Sequence, residues 1–314
     1  MGTYVFKRII TIIPIFLLAT LLTFSMIHLS PVDPAEAYFT TAHIQATDEM
    51  LEQKRQEFGL DQPLLIQYVN ALIKICQFDF GISYVTNKPV WEEITTRLPA
   101  TIQLTLGSLL IAILVSVPIG FLAGIRKNSV IDHFSRFLSF IGASIPSFWL
   151  GYLFIFFFSV KLDLFPVEGT GTWKHLILPS VTLAFPLIAL YTRLLRASVL
   201  ENLQEPYVLF ARTRGIHERV IMGKHVLRIA ISPMITGLGM NLGNLLTGAI
   251  IVEVVFSWPG FGRYFIEAIF NRDVPVIQGY VLLAAGIFLI SNLIVDLIQM
   301  LIDPRISRKG RQYQ

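Results

Sequence analysis

The chain is poor in what a soluble enzyme is built from. Only 15% of its 314 residues are charged, against 54% hydrophobic, and mean hydropathy is +0.64. A water-soluble globular chain carries about a quarter charged residues, so this is a polytopic membrane protein. One cysteine, Cys76, excludes an internal disulfide and any zinc site built on cysteines. The six histidines are scattered, with no pair at ligand spacing on one helix. Gly223-Lys224 lacks the earlier glycine of a phosphate loop, and His225 stands where Ser or Thr is needed. The chain therefore has no ATP site of its own. His217-Glu218 has Ile221 where a zinc-protease helix requires histidine. Asp79-Phe80-Gly81 has no other kinase element, and Gly142-Ala143-Ser144-Ile145 ends in Pro146 rather than in a nucleophile elbow. Net charge of +4 is too small to argue for nucleic acid. No low-complexity tract or fixed-period repeat is present.

What is present is a series of apolar runs: residues 9–29, 98–125, 137–160, 176–192, 229–252 and 274–295. Each is long enough to cross roughly 30 Å of hydrocarbon, the 176–192 run only if Arg193 snorkels to extend it. The first outruns a signal-peptide core, although Ala35-Glu36-Ala37 mimics a cleavage site. Pro99 suits a helix start, while Pro146 and Pro186 fall inside spans. The expected fold is an all-α membrane protein of six transmembrane helices. Of the 25 basic residues, 16 fall in the segments 1–8, 126–136, 193–228 and 303–314, and 9 in the segments opposite. The positive-inside bias puts both termini and residues 201–228 on the cytoplasmic side of the membrane. No Asp, Glu, Lys or Arg stands inside the runs, whereas ion-driven carriers usually need such groups in mid-membrane. Driving energy therefore comes from elsewhere, through a wide and weakly selective pathway.

The domain reading follows. Residues 1–29 hold the first span, 30–97 a small extracytoplasmic helical region, 98–302 the five-helix core, and 303–314 a cytoplasmic tail. Within 30–97, Thr47-Asp48-Glu49 reads as a helix start, Gly59 to Pro63 as a turn, and 64–78 as a second helix with Leu65, Tyr68, Leu72 and Ile75 at helical spacing. The cluster of glycines and prolines in the outer loop 253–273 fits a tight non-helical turn re-entering the bundle; a plain exposed loop is the alternative. In the cytoplasmic segment 201–228, Pro206 and Gly215 bracket a short helix, and a second short helix fits 218–227. An ordinary interfacial loop is the alternative there. Gly120 with Gly124, and Gly239 with Gly243, are candidate small-residue strips for close helix packing.

Three motifs carry a resemblance. Tyr207-Val208-x-x-Ala211-Arg212-x-x-Gly215, with His225-x-Leu227-Arg228 and Pro233, resembles the cytoplasmic coupling loop of permeases of ATP-binding-cassette (ABC) importers, in the dipeptide, oligopeptide and nickel branch. Gly59-Leu60-Asp61-Gln62-Pro63-Leu64 with Gln67-Tyr68, and Asp79-Phe80-Gly81-x-Ser83, resemble the branch's outer region. Glu253-x-x-Phe256-Ser257-Trp258-Pro259-Gly260-x-Gly262-Arg263, leading to Asn271-Arg272-Asp273-Val274-Pro275, resembles its outer signature.

The resemblance implies a permease subunit that is not itself an enzyme. It would bind no cofactor or metal, with ATP and magnesium held by two ATP-binding partner subunits. A second homologous permease would complete the pathway in the lipid bilayer, and an extracytoplasmic solute-binding protein would choose the substrate. ATPase coupling is assigned to Glu205, Pro206, Tyr207, Val208, Ala211, Arg212, Arg214, Gly215 and His225. The outer gate or binding-protein contact is assigned to Glu253, Trp258, Pro259, Gly260, Gly262, Arg272 and Asp273. Residues 268–273, with Asp296 and Asp303-Pro304-Arg305-Ile306, look closest to nickel and metal–metallophore permeases. A peptide cargo is the alternative. A passive channel and a membrane-embedded enzyme are remoter ones; the enzyme would need a nucleophile, metal cluster or acid pair that the spans lack.

Overall fold

A computed structural model describes residues 2–29, 33–41 and 44–302. Asp303-Pro304-Arg305-Ile306 and the tail lie outside the described residues. Among the described residues fifteen helices run in chain order: α1 (Gly2–His28), α2 (Pro34–Thr41), α3 (Asp48–Phe58), α4 (Leu64–Cys76), α5 (Val90–Ile125), α6 (Val130–Ser144), α7 (Ser147–Phe154), α8 (Trp173–Asn202), α9 (Pro206–Thr213), α10 (Glu218–Val220), α11 (Leu227–Ala230), α12 (Ser232–Gly248), α13 (Ile250–Val255), α14 (Phe261–Phe270) and α15 (Val274–Ile302). Two π-helical segments, Ile155–Lys161 and Ile221–Val226, extend α7 and join α10 to α11. Among the described residues there is no strand, only one bridge between Ile82 and Pro89.

Among the described residues four helices are long and apolar enough to cross a membrane: Val90–Ile125, Trp173–Asn202, Glu218–Leu246 and Val274–Val295. The single span expected over 137–160 is instead a bent pair, Val130–Ser144 and Ser147–Lys161, at 106°. Proline disfavours helical backbone in the residue before it, and Ile145 is extended there (φ −86°, ψ 123°). Pro186 does not break α8, whose neighbouring Leu187, Ile188, Ala189 and Tyr191 are all buried; packing overrides the local preference. In α1 the apolar stretch Ile10–Met26 is shorter than these spans.

Three other expectations change, and one further helix is found. Pro99 lies well inside α5, which begins at Val90, rather than at a helix start. Residues 34–41 form α2, in which Ala35 and Ala37 are buried packing residues. The second short helix expected over 218–227 runs on without a break into the span that follows, as Glu218–Leu246. The outer loop 253–273 is not wholly non-helical, because α14 occupies ten of its residues.

The chain divides into two compact units, Met1–Thr101 with Pro259–Gln314, and Ile102–Trp258. In the first, α1 and α14 pack on α15, with Phe261 and Phe265 stacked on Tyr280 at 4.3 and 4.0 Å. Thr47 caps α3 by accepting the Met50 N–H, and Gly59 (φ +70°) closes it. Arg55 ties α3 to Asp33 at 2.6 Å.

In the second unit, α8 is the central element, flanked by α6, α7, α11, α12 and α13. A methyl added at Gly120 would stand 2.9 Å from the Thr192 carbonyl oxygen, and one at Gly124 2.6 Å from Val199 Cβ. Glycine is thus what lets α5 lie against α8. Gly239 and Gly243 stand on α12, the second of them buried. Asp132, fully buried in the first turn of α6, is bound by Arg196 of α8 through Nε and, at 3.1 Å, through a second guanidinium nitrogen. Tyr191 is likewise buried, and its hydroxyl accepts from Asn241 of α12 at 3.0 Å.

Candidate functional site

The segment 201–228 hangs from the end of α8. Pro206 takes the first position of α9, where a missing N–H costs nothing, and exposed Glu205 precedes it. At the other end Gly215 has φ +71°. Its N–H reaches the Arg212 carbonyl at 2.9 Å, and the Ile216 N–H reaches the Ala211 carbonyl at 3.2 Å. This paired closure is a Schellman motif, which needs a left-handed residue at the glycine position and an apolar contact beyond it. Ile216 makes that contact on the same cluster that buries Ala211.

The helix is too short to stand alone, and two side chains hold it down. Val208 (1% exposed) and Ala211 are buried with Val199, Ile221, Val226 and Ala230. Tyr207 is half-buried and its hydroxyl donates to Asn202 Oδ1 at 3.1 Å. Burial and the Glu205 charge push the Tyr207 phenol up, so it remains a neutral donor. Val208 and Ala211 therefore face inward and anchor the helix.

The outward side of α9 carries two apolar residues that the sequence reading left out. Leu209 (65% exposed) and Phe210 (69%) project from α9. The same segment exposes Arg212, Arg214, Arg219, Lys224, His225 and Arg228. Arg212 is held by Glu218 at 2.6 Å, across the Gly215 turn. Helical spacing holds the missing signal: once positions 208 and 211 face the core, 209 and 210 face out. An exposed apolar pair on a short helix within a basic segment suits a groove with an acidic rim.

The residues expected at the outer face are mostly interior. In the second unit, Glu253 and Trp258 are buried, and the Trp258 N–H closes a turn on the Glu253 carbonyl at 2.8 Å. In the first unit, Gly260, Gly262 and Asp273 are buried, while Pro259 and Arg272 are exposed. Gly260 precedes α14, whose first N–H, that of Phe261, bonds to Thr101 Oγ1 at 2.8 Å. Arg272 (φ +55°) closes α14.

Asp273 is a structural hub. Its carboxylate accepts the Ser83 hydroxyl at 2.5 Å and the backbone N–H of Tyr84 at 3.2 Å. Burial and the Asp273 charge push the Tyr84 phenol up. In this conformation, then, Asp273 holds the 82–86 loop and offers no free edge to a docking protein. Beside it, Arg97 lies over the Tyr264 ring at 4.1 Å. Among the described residues no group of three His, Cys, Asp or Glu could hold a metal ion.

The chain was then compared with known proteins. A family described as "Binding-protein-dependent transport system inner membrane component" matches residues 116–308. The corresponding N-terminal family, "Binding-prot-dependent transport system membrane comp, N-term", matches residues 1–105. The glutathione transport system permease protein GsiC of Salmonella typhimurium is 40% identical over 309 residues, covering 98% of this chain and 100% of the relative. GsiC of Shigella dysenteriae is 39% identical with the same coverage. Among solved structures, the MetNI methionine ABC transporter in an inward-facing conformation gives a TM-score of 0.54 at 18% identity, covering 67% of this chain and 96% of that one. That likeness concerns the fold.

Proposed function

The chain belongs to the family of binding-protein-dependent transport system inner membrane components, and on that premise we propose that its cargo is a short peptide of the glutathione type. It is a multi-pass inner-membrane permease of an ABC importer, and ATP hydrolysis resides in separate subunits. The observation that carries the cargo reading is the 40% identity along 98% of the chain with a glutathione permease. The nickel or metallophore cargo expected from residues 268–273 gives way to it, since the relatives named above are glutathione permeases. The motif that suggested nickel is spent on structure: Asn271 and Arg272 close α14, and Asp273 is the buried hub of the 82–86 loop.

In this reading six spans form half of a pathway that a second, homologous permease completes. Two ATP-binding subunits carry the nucleotide and magnesium, and each permease subunit presents one coupling loop to them. Here α9 seats Leu209 and Phe210 in a groove, and its anchors Val208 and Ala211 pass movement of that groove to the buried cluster of α8. A solute-binding protein delivers cargo on the side of residues 30–97. The decisive measurement is uptake by the reconstituted importer of labelled glutathione and dipeptides against nickel ion, with the co-encoded binding protein present. Peptide uptake that nickel does not compete supports the reading; nickel uptake without peptide uptake refutes it. Orientation is tested separately. Gln53→Cys in a chain lacking Cys76 labels from outside with an impermeant thiol reagent, and Glu218→Cys labels only after lysis.

A further inference from the structure

We propose that α4 is a membrane-embedded helix whose exposed apolar side lies among lipid acyl chains, rather than part of a soluble outer region. This rests on α1 crossing the bilayer and holds whichever way the chain is oriented.

The side chains of α4 fall into three sectors. Tyr68, Leu72 and Ile75 are partly buried against the first unit. Gln67, Asn70 and Lys74 line a cavity of about 840 Å³, shared with Tyr38, Lys54 and Gln278. The remaining arc holds Leu65 (75% exposed), Ile66, Val69 (46%) and Cys76, with Ile73 (52%) at the edge where the arc meets the cavity that it also lines. At about 100° per residue these five share one arc of roughly 100°, and no polar residue interrupts it. A helix in water turns its polar side outward. Here the polar side faces the cavity and the outward side is wholly apolar, which is the order expected against hydrocarbon.

Depth is set by α1. The Tyr68 hydroxyl lies 3.2 Å from the Leu17 carbonyl oxygen and 2.9 Å from Thr20 Oγ1. Its neighbour Gln67 meets His28 Nε2 at 2.9 Å through Oε1. From His28 to Thr20 and Leu17 is roughly 12–16 Å along α1 at 1.5 Å per residue. That distance reaches well into a hydrocarbon layer of about 30 Å. At the same depth α1 exposes Leu18, Leu21 and Leu22. The apolar arc of α4 thus continues the lipid-facing surface of α1. Its entry turn is also made fit for a dry setting, because Gln67 Nε2 donates to the carbonyls of Leu60 (3.1 Å) and Gln62 (2.7 Å).

The test uses the full chain with its partner subunits in proteoliposomes. In a Cys76→Ser background, bimane is attached at Val69→Cys, at Asn70→Cys on the cavity side, or at Leu18→Cys on α1. Quenching by lipids with nitroxide-labelled acyl chains is compared with quenching by aqueous iodide. The expected result is several-fold stronger lipid quenching at 69 than at 70, with the reverse order for iodide. Iodide quenching at 69 equal to that at 70 overturns the proposal. So does shielding of 69 from both quenchers, which means a protein partner covers the arc. Iodide quenching at 18 as well shows instead that α1 does not cross the bilayer, so the premise has failed.

Discussion

Replacing Gly215 tests whether the bend after α9 matters for coupling. Gly215 has φ +71°, and a methyl added there would meet nothing within 4 Å. Any cost is therefore backbone conformation alone, not crowding. A left-handed residue bearing a side chain costs roughly 1–2 kcal/mol, with asparagine tolerated best and β-branched residues worst. For Gly215→Val the closed turn should lose roughly 5–30-fold in population relative to open ones. The turn is exposed, and α8 keeps its own packing through Tyr191, Leu195 and Val199. Membrane insertion and expression should thus survive, while the Arg212–Glu218 pair across the turn and the angle of α9 change. The assay is substrate-stimulated ATPase activity and uptake in proteoliposomes, measured for Gly215→Asn, Gly215→Ala and Gly215→Val at equal protein. Activity should fall in that order, with asparagine close to the parent. Parent-like coupling in Gly215→Val would show that the bend is only a connector. Equal loss in asparagine and valine variants would show that the glycine matters for some reason other than φ.

Phe210→Asp places a charge on the exposed edge of α9 without touching its buried anchors, so the ATP-binding subunits should no longer co-purify while the permease stays in the membrane. Recovery of the intact complex would refute that docking face. Gly124→Ala should cost about 1–3 kcal/mol by overpacking against Val199, read as a lower thermal midpoint in detergent. Adding Val199→Ala should restore most of it, because the two positions share one contact. Asp273→Ala removes the acceptor for the buried Ser83 hydroxyl and Tyr84 N–H, for about 1–3 kcal/mol. Limited proteolysis should then cut at residues 82–88, where the parent chain resists.

Much of this protein was set by its sequence. Four of the charge-free apolar runs stand, among the described residues, in helices long and apolar enough to cross a membrane, because an uninterrupted stretch of that length is stable among lipid chains. The caps were equally local: Thr47, Gly59, Pro206 and Gly215 each act where they stand, through their own backbone and side-chain chemistry. Tertiary structure decided three matters that no local rule reaches. Pro146 breaks its helix and Pro186 does not, because α8 is surrounded by neighbours that keep it continuous. Val208 and Ala211 became anchors, leaving Leu209 and Phe210 exposed, because the side of α9 that faces inward depends on where Ile221 and Val226 lie. Asp273 reads in sequence as a charge in an outer loop. It is buried because the 82–86 loop, far away in the chain, brings hydrogen-bond donors that only the folded protein supplies.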